Sequence, residues 1–201
     1  MTEELKNKEA EKKSFFANLL DALESFAIAV ACVVFIFLFV ARLSIVNGDS
    51  MNKTLSNNDY LIVVNPFFTY EPKNGDIVVI HGNYENYSVP LVKRVIATEG
   101  QTITINTKTK QVFVDGELLN EEYAYYMNGI PLKRPWTAGG KYNSDTGEFT
   151  ATVPEGHVFV MGDNRCNSAD SRLEEISFVN ENNILGKAVY RVSPFSNMGK
   201  I

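Results

Sequence analysis

Charge disappears from the chain between Glu24 and Arg42: residues 25–41 are seventeen consecutive uncharged positions, including the block Val33-Val34-Phe35-Ile36-Phe37-Leu38-Phe39-Val40. At about 1.5 Å per residue this is slightly short for a hydrocarbon core of roughly 30 Å, but Leu23, Leu43, Ile45 and Val46 lengthen it while Glu24 and Arg42 can snorkel. The pattern predicts one transmembrane helix over residues 22–43, preceded by a solvated tail, residues 1–21, whose first positions mix Lys and Glu. A cleaved secretory signal, or a lipoprotein signal at Ala29-Val30-Ala31-Cys32, fits less well, because the apolar block mostly follows Cys32 instead of preceding it. Lys6, Lys8, Lys12 and Lys13 lie before the span and only Arg42 and Lys53 follow it closely, which favours a cytoplasmic N-terminus and an extracytoplasmic domain over residues 44–201.

Beyond the span the pattern changes to short β-rich runs at 60–64, 76–80, 89–98, 101–105, 111–114, 148–153, 158–161 and 187–192. Turn formers separate them, notably Lys73-Asn74-Gly75-Asp76, Glu99-Gly100 and Asp115-Gly116, the last suited to a tight hairpin. A Gly/Asn-rich excursion occupies 129–147. The expected fold is mostly β: an antiparallel folded-sheet or barrel-like domain with one N-terminal transmembrane helix.

Composition narrows the function. The chain has 201 residues, with 19 Lys and Arg against 24 Asp and Glu for a net charge of −5. It carries no dense basic stripe, so nucleic acid is not an expected partner. Two cysteines, Cys32 and Cys166, and two histidines, His81 and His157, offer neither a disulfide framework nor metal-ligand spacing, and no metal or cofactor is expected.

Three segments can carry chemistry. Val46-Asn47-Gly48-Asp49-Ser50-Met51 sets a serine in a polar turn just past the span; taken alone, it is equally a plain strand-to-turn connection. In Leu91-Val92-Lys93-Arg94-Val95-Ile96, strand alternation puts Lys93 on one face with Leu91 and Val95, and Arg94 on the other. One cation must then face an apolar side, unless the strand is an edge with both solvated. A desolvated lysine loses its proton readily and becomes a usable base, whereas guanidinium does not. The run Gly162-Asp163-Asn164-Arg165-Cys166-Asn167-Ser168-Ala169-Asp170-Ser171-Arg172 is dense enough in polar groups to orient a site, or to be a well-satisfied turn.

Together these segments resemble the diagnostic boxes of type I signal peptidases, the Ser/Lys-dyad endopeptidases. The serine box matches as Ser50-Met51-Asn52-Lys53-Thr54-Leu55, a second as Gly75-Asp76-Ile77-Val78-Val79, the lysine box as Lys93-Arg94-Val95-Ile96 with Gly100, and the last as 162–172. The resemblance implies Ser50 as nucleophile and Lys93 as general base, with Ser168 hydrogen-bonding the lysine amine and Asp170 pairing with Arg172. It further implies an extended signal peptide with a small-x-small cleavage site, read by shallow pockets near Val46, Gly48, Met51, Leu55, Leu91 and Val92. Secretory preproteins and membrane lipids are the partners so implied, and the bacterial cell membrane the location.

Two departures stand out. Gly48 occupies the position where some members carry a hydroxyl that assists the Ser50 N–H at the oxyanion. Lys53 replaces the usual proline; it is open to three readings, as a positive charge that depresses Lys93, as a headgroup contact, or as a solvated surface lysine. An aromatic cluster, Pro66-Phe67-Phe68-Thr69-Tyr70 with Trp136, is a candidate for the membrane interface or for ordinary packing. The competing functions are a tethered homologue that binds peptides without cleaving them, and a peptidase dedicated to a few precursors.

Overall fold

The computed structural model describes residues 2–66, 70–82, 84, 88–132, 135 and 139–201, with side chains from residue 14 onward. The chain divides into two units, Met1–Ala41 and Arg42–Ile201. Phe67, Phe68 and Trp136 lie outside the described residues.

The first unit is helical: α1 spans Thr2–Phe35 and passes into a π-helical turn, Ile36–Val40. The portion long and apolar enough to cross a membrane is Ser14–Val40, and none of its residues is buried by protein. The helical backbone and the expected 22–43 span do not share their ends. Helical backbone begins well before residue 22, and Ala41–Ile45 leaves as a strand, β1. Hydropathy cannot see that change, because Leu43 and Ile45 are as apolar as the span they follow.

The second unit is antiparallel β, as expected. After β1 come β2 (Tyr60–Val64), β3 (Ile77–Ile80), β4 (Leu91–Ala97), β5 (Thr102–Asn106), β6 (Gln111–Val114) and β7 (Glu117–Leu118). Then follow β8 (Lys141–Asn143), β9 (Glu148–Thr152), β10 (His157–Met161), β11 (Val179–Asn180), β12 (Ile184–Ser193) and β13 (Gly199–Lys200). The larger sheet runs β1-β2-β12-β3-β4-β10-β11 with β13 beside β12; the smaller runs β7-β6-β5-β9-β8. Both are open, so their strand ends and edges stay available. The Asp115-Gly116 pair turns β6 into β7 with positive φ at both residues (52° and 85°), the geometry a two-residue hairpin turn demands.

Both faces of the larger sheet are covered. Ile77, Val79 and Val92 pack on one side with Val46, Met51, Leu55, Leu61 and Val63; Val78, Ile80 and Val95 pack on the other with Val158, Val160 and Ile184. A third cluster joins the smaller sheet, through Ile103, Ile105, Val112 and Phe149, to Ile96, Phe159 and Met161 of the larger one. The central strands β3 and β4 therefore have no solvated face, and a charged side chain on β4 must find its partners inside the protein.

Candidate active site

Lys93 is the polar residue that β4 buries. It lies opposite Val78 of β3, its side chain is 2% exposed, and it shares its strand face with Leu91 and Val95. Its Nζ is 2.8 Å from Ser50 Oγ and donates to its neighbour's carbonyl, Val92 O, at 2.8 Å. Burial lowers the amine's pKa from 10.5 to about 8. The Asp170 carboxylate opposes that fall, the Arg172 charge adds to it, and Asp163 opposes it more weakly. Lys53 has no part in the shift. Its ammonium lies 5.6 Å from the Tyr125 ring centroid, in cation–π range, and the residue is exposed, beside a cis Asn52–Lys53 peptide bond.

Arg94, the next residue, avoids desolvation without a partner by reaching Asp163 in the loop after β10. Its Nε and Nη2 donate to the two Asp163 oxygens at 2.8 and 2.7 Å, and Nη1 donates to Gly75 O at 2.8 Å. The fork matches a carboxylate, as only guanidinium can. Asp163 also accepts from Thr54 Oγ1 at 2.5 Å, so the turn after the serine is tied to the same carboxylate.

Ser50 sits in a turn between β1 and β2, half-buried. The loop after β10 grips that turn through Asn164, whose N–H donates to Ser50 O at 2.9 Å and whose Nδ2 donates to Asp49 O at 3.1 Å. Gly162 permits this approach: a Cβ there would collide with Ser168 Oγ and with Ser50 O. Gly48 has φ +96°, a conformation that glycine adopts without strain, and its N–H is engaged by Asn57 Oδ1 at 2.9 Å, so it supplies no second oxyanion donor. Among the described residues the Ser50 N–H donates to no acceptor.

The rest of the loop is held by Asp170 and Arg172. Arg172 Nε and Nη2 donate to Asp170 Oδ1 and Oδ2 at 2.8 and 2.7 Å, and Nη1 donates to Arg165 O at 2.7 Å. Asp170 also accepts from the Gly162 N–H at 2.9 Å. Burial by itself would raise the Asp170 pKa, but the Arg172 charge and these hydrogen bonds outweigh it and hold the carboxyl below its ordinary range. The expected bond from Ser168 to the lysine amine is not formed. Ser168 Oγ is shielded from solvent and meets full hydrogen-bond geometry with no partner among the described residues, although it stands close enough to Asp170 to favour its charged form. Lys93 turns to Ser50 and Val92 instead.

Ser50 and Lys93 open onto a cleft of about 470 Å³, walled by the end of β1 with residues 45–47 on one side and by residues 89–92 on the other. Of the six residues expected at the pockets, Val46, Leu91 and Val92 line this cleft. Met51 and Leu55 do not: they are 1% and 0% exposed, in the core cluster beneath the serine turn, where their packing holds Ser50 in place. Gly48 is a turn residue and not a wall. Asn57, Asn58, Val89 and Pro90 also line the cleft, and no local pattern marks them.

A serine hydroxyl stands against a desolvated amine at the wall of an open cleft, on an antiparallel β scaffold, close enough for the amine, once neutral, to take the hydroxyl proton. The family model described as "Signal peptidase, peptidase S26" matches residues 19–193. Among curated proteins, Signal peptidase I P of Bacillus subtilis subsp. natto is 38% identical over 186 residues, covering 90% of each chain. Probable signal peptidase I-1 of Synechocystis is 35% identical over 181 residues, covering 87% of this chain and 82% of that one. Signal peptidase I T of Bacillus subtilis is 34% identical over 209 residues and covers 98% of both. The chain belongs to the S26 signal peptidase family, and is a hydrolase that removes signal peptides.

Proposed function

We propose that this membrane signal peptidase cleaves secretory preproteins through a Ser50/Lys93 dyad at small-x-small sites. One observation carries the assignment: the 2.8 Å contact between Ser50 Oγ and an amine whose pKa burial has lowered to about 8. Because Lys93 donates to Val92 O, the neutral amine has its lone pair free for the serine proton. Ser50 Oγ attacks the scissile carbonyl as Lys93 accepts that proton, and the developing oxyanion is met by the Ser50 N–H. The tetrahedral intermediate collapses to an acyl-enzyme while Lys93 protonates the departing amine. Neutral again, Lys93 takes a proton from the water that attacks the ester carbonyl and returns it to Ser50 Oγ as the acyl–oxygen bond breaks and the carboxylate product leaves.

The cleft supports an extended substrate lying beside the last residues of β1, which is an edge strand of the larger sheet. Val46, Leu91 and Val92 give it apolar walls, suited to small apolar side chains. The helix over Ser14–Val40 anchors the enzyme in the bacterial cell membrane, with the N-terminus cytoplasmic and Arg42–Ile201 outside, as the lysines before the span favour.

The test is cleavage of a synthetic preprotein with an Ala-x-Ala site by the detergent-solubilised protein, comparing wild type with Ser50→Ala and Lys93→Ala. Site-specific cleavage lost in each variant establishes the dyad. Cleavage that survives in both removes it.

A further inference from the structure

We infer that Asn164 is a positioning residue that aims the Ser50 N–H into the cleft, an inference that rests on the Ser50/Lys93 reading above. A trans peptide unit is planar, so its C=O and N–H point in opposite directions and fixing one aims the other. The Asp49–Ser50 peptide is trans, and its carbonyl is fixed twice, by Asn164 Nδ2 at 3.1 Å and by the Asn52 N–H at 3.2 Å. Asn164 also holds the far side of the serine through its own N–H to Ser50 O at 2.9 Å. Both peptide planes that flank the nucleophile are therefore held by one residue.

Asn164 can do this because it is itself immobilised. It is 2% exposed, its carbonyl accepts from the Asn167 N–H, and its neighbours exchange hydrogen bonds with Tyr125 on both sides: Tyr125 N–H to Asp163 O at 2.7 Å, and Arg165 N–H to Tyr125 O at 2.9 Å. Its amide orientation has one solution, since exchanging Oδ1 and Nδ2 would set two acceptor oxygens 3.1 Å apart. In that orientation Oδ1 is buried with no hydrogen-bond partner among the described residues. A leucine would fill the same space without an unpaired acceptor, so packing alone does not account for asparagine here. The donor on Asp49 O does.

The experiment uses the full chain in detergent micelles and a substrate-like peptide ending in an aldehyde, paired with the same peptide ending in an alcohol. On the aldehyde, Ser50 Oγ bonds to the carbonyl carbon, the π pair moves onto oxygen, and the serine proton passes to Lys93; the alcohol forms no such adduct. Asn164→Ala is expected to lower kcat by about 10- to 100-fold with KM within about twofold, short of the full loss of an oxyanion donor. Inhibition by the aldehyde weakens by the same factor, inhibition by the alcohol does not change, and the acid limb of the pH profile stays in place. Equal weakening of both inhibitors, an unchanged kcat, or a kcat recovered by raising the pH would each overturn the inference. Should Asn164→Ala fail to fold, Asn164→Asp keeps the shape and the backbone bonds but loses the donor. The aldehyde-to-alcohol ratio, read above the acid limb, then decides in the same way. If Ser50→Ala cleaves like wild type, the dyad itself falls. If Ser50→Ala is inactive and both Asn164 variants keep the wild-type ratio, only the role of Asn164 falls.

Discussion

Lys93 concentrates most of what can be tested at the scale of single residues. With a folded pKa of about 8, the free enzyme's kcat/KM should rise through pH 8 as the amine loses its proton, and Lys93→Arg should be inactive at every pH because guanidinium keeps its proton. The same burial lowers stability. Below about pH 8 both folded and unfolded chains carry the ammonium, and the folded state bears the whole cost. Between 8 and 10.5 the folded amine is already neutral, and the cost fades as the unfolded lysine follows it. Lys93→Met should therefore be more stable than wild type at pH 7, by up to roughly 3 kcal/mol, with the gain vanishing toward pH 10.5 in chemical denaturation. Asp170 and Arg172 act on the amine with opposite signs, so Asp170→Asn should move the acid limb of kcat/KM down and Arg172→Met should move it up. A limb that stays fixed in both would show that neither charge reaches Lys93.

At the scale of elements, the site is a strand, a turn and a loop fastened to one another. The loop after β10 is stapled internally by the buried Asp170–Arg172 pair, and removing one partner leaves a buried charge alone; Arg172→Ala should cost about 3–5 kcal/mol in urea unfolding at pH 7. Because the Asp170 pKa is lowered on folding, its share of stability is present above the ordinary carboxylate range and is lost as the pH falls through the folded value. Where this loop meets the serine turn, Gly162→Ala should displace both Ser50 and Ser168, lowering kcat at least 100-fold and also lowering the unfolding midpoint, because one of the clashes is with backbone. The sequence pattern identified eight of the nine strands of four residues or more. It missed β7, β11 and β13, two residues each, and β8, three residues, because so few positions cannot display a period of two. It also missed β1, whose apolar residues continue those of the helix.

For the molecule as a whole, all three core clusters draw only on residues of Arg42–Ile201. A chain lacking residues 2–40 should keep the thermal unfolding midpoint of the catalytic unit while losing its sedimentation with membranes. Protease added outside intact protoplasts should digest residues 42–201 and spare a tag placed before Ser14; the reverse outcome would invert the proposed topology.

The order of the longer strands, the apolar N-terminal helix and the chemistry-bearing segments were legible in the sequence, because hydropathy period, turn residues and short motifs are local properties. Which cation of the Lys93-Arg94 pair turns inward was not. That depended on two layers covering both faces of β4 and on Asp163, 69 residues away, taking the guanidinium. The same holds for Met51 and Leu55, which lie under the serine and not along the cleft, and for Ser168, which leaves Lys93 to Ser50 and Val92. Burial, pKa and the direction of a hydrogen bond belong to neighbours in space, and only the folded chain decides who those neighbours are.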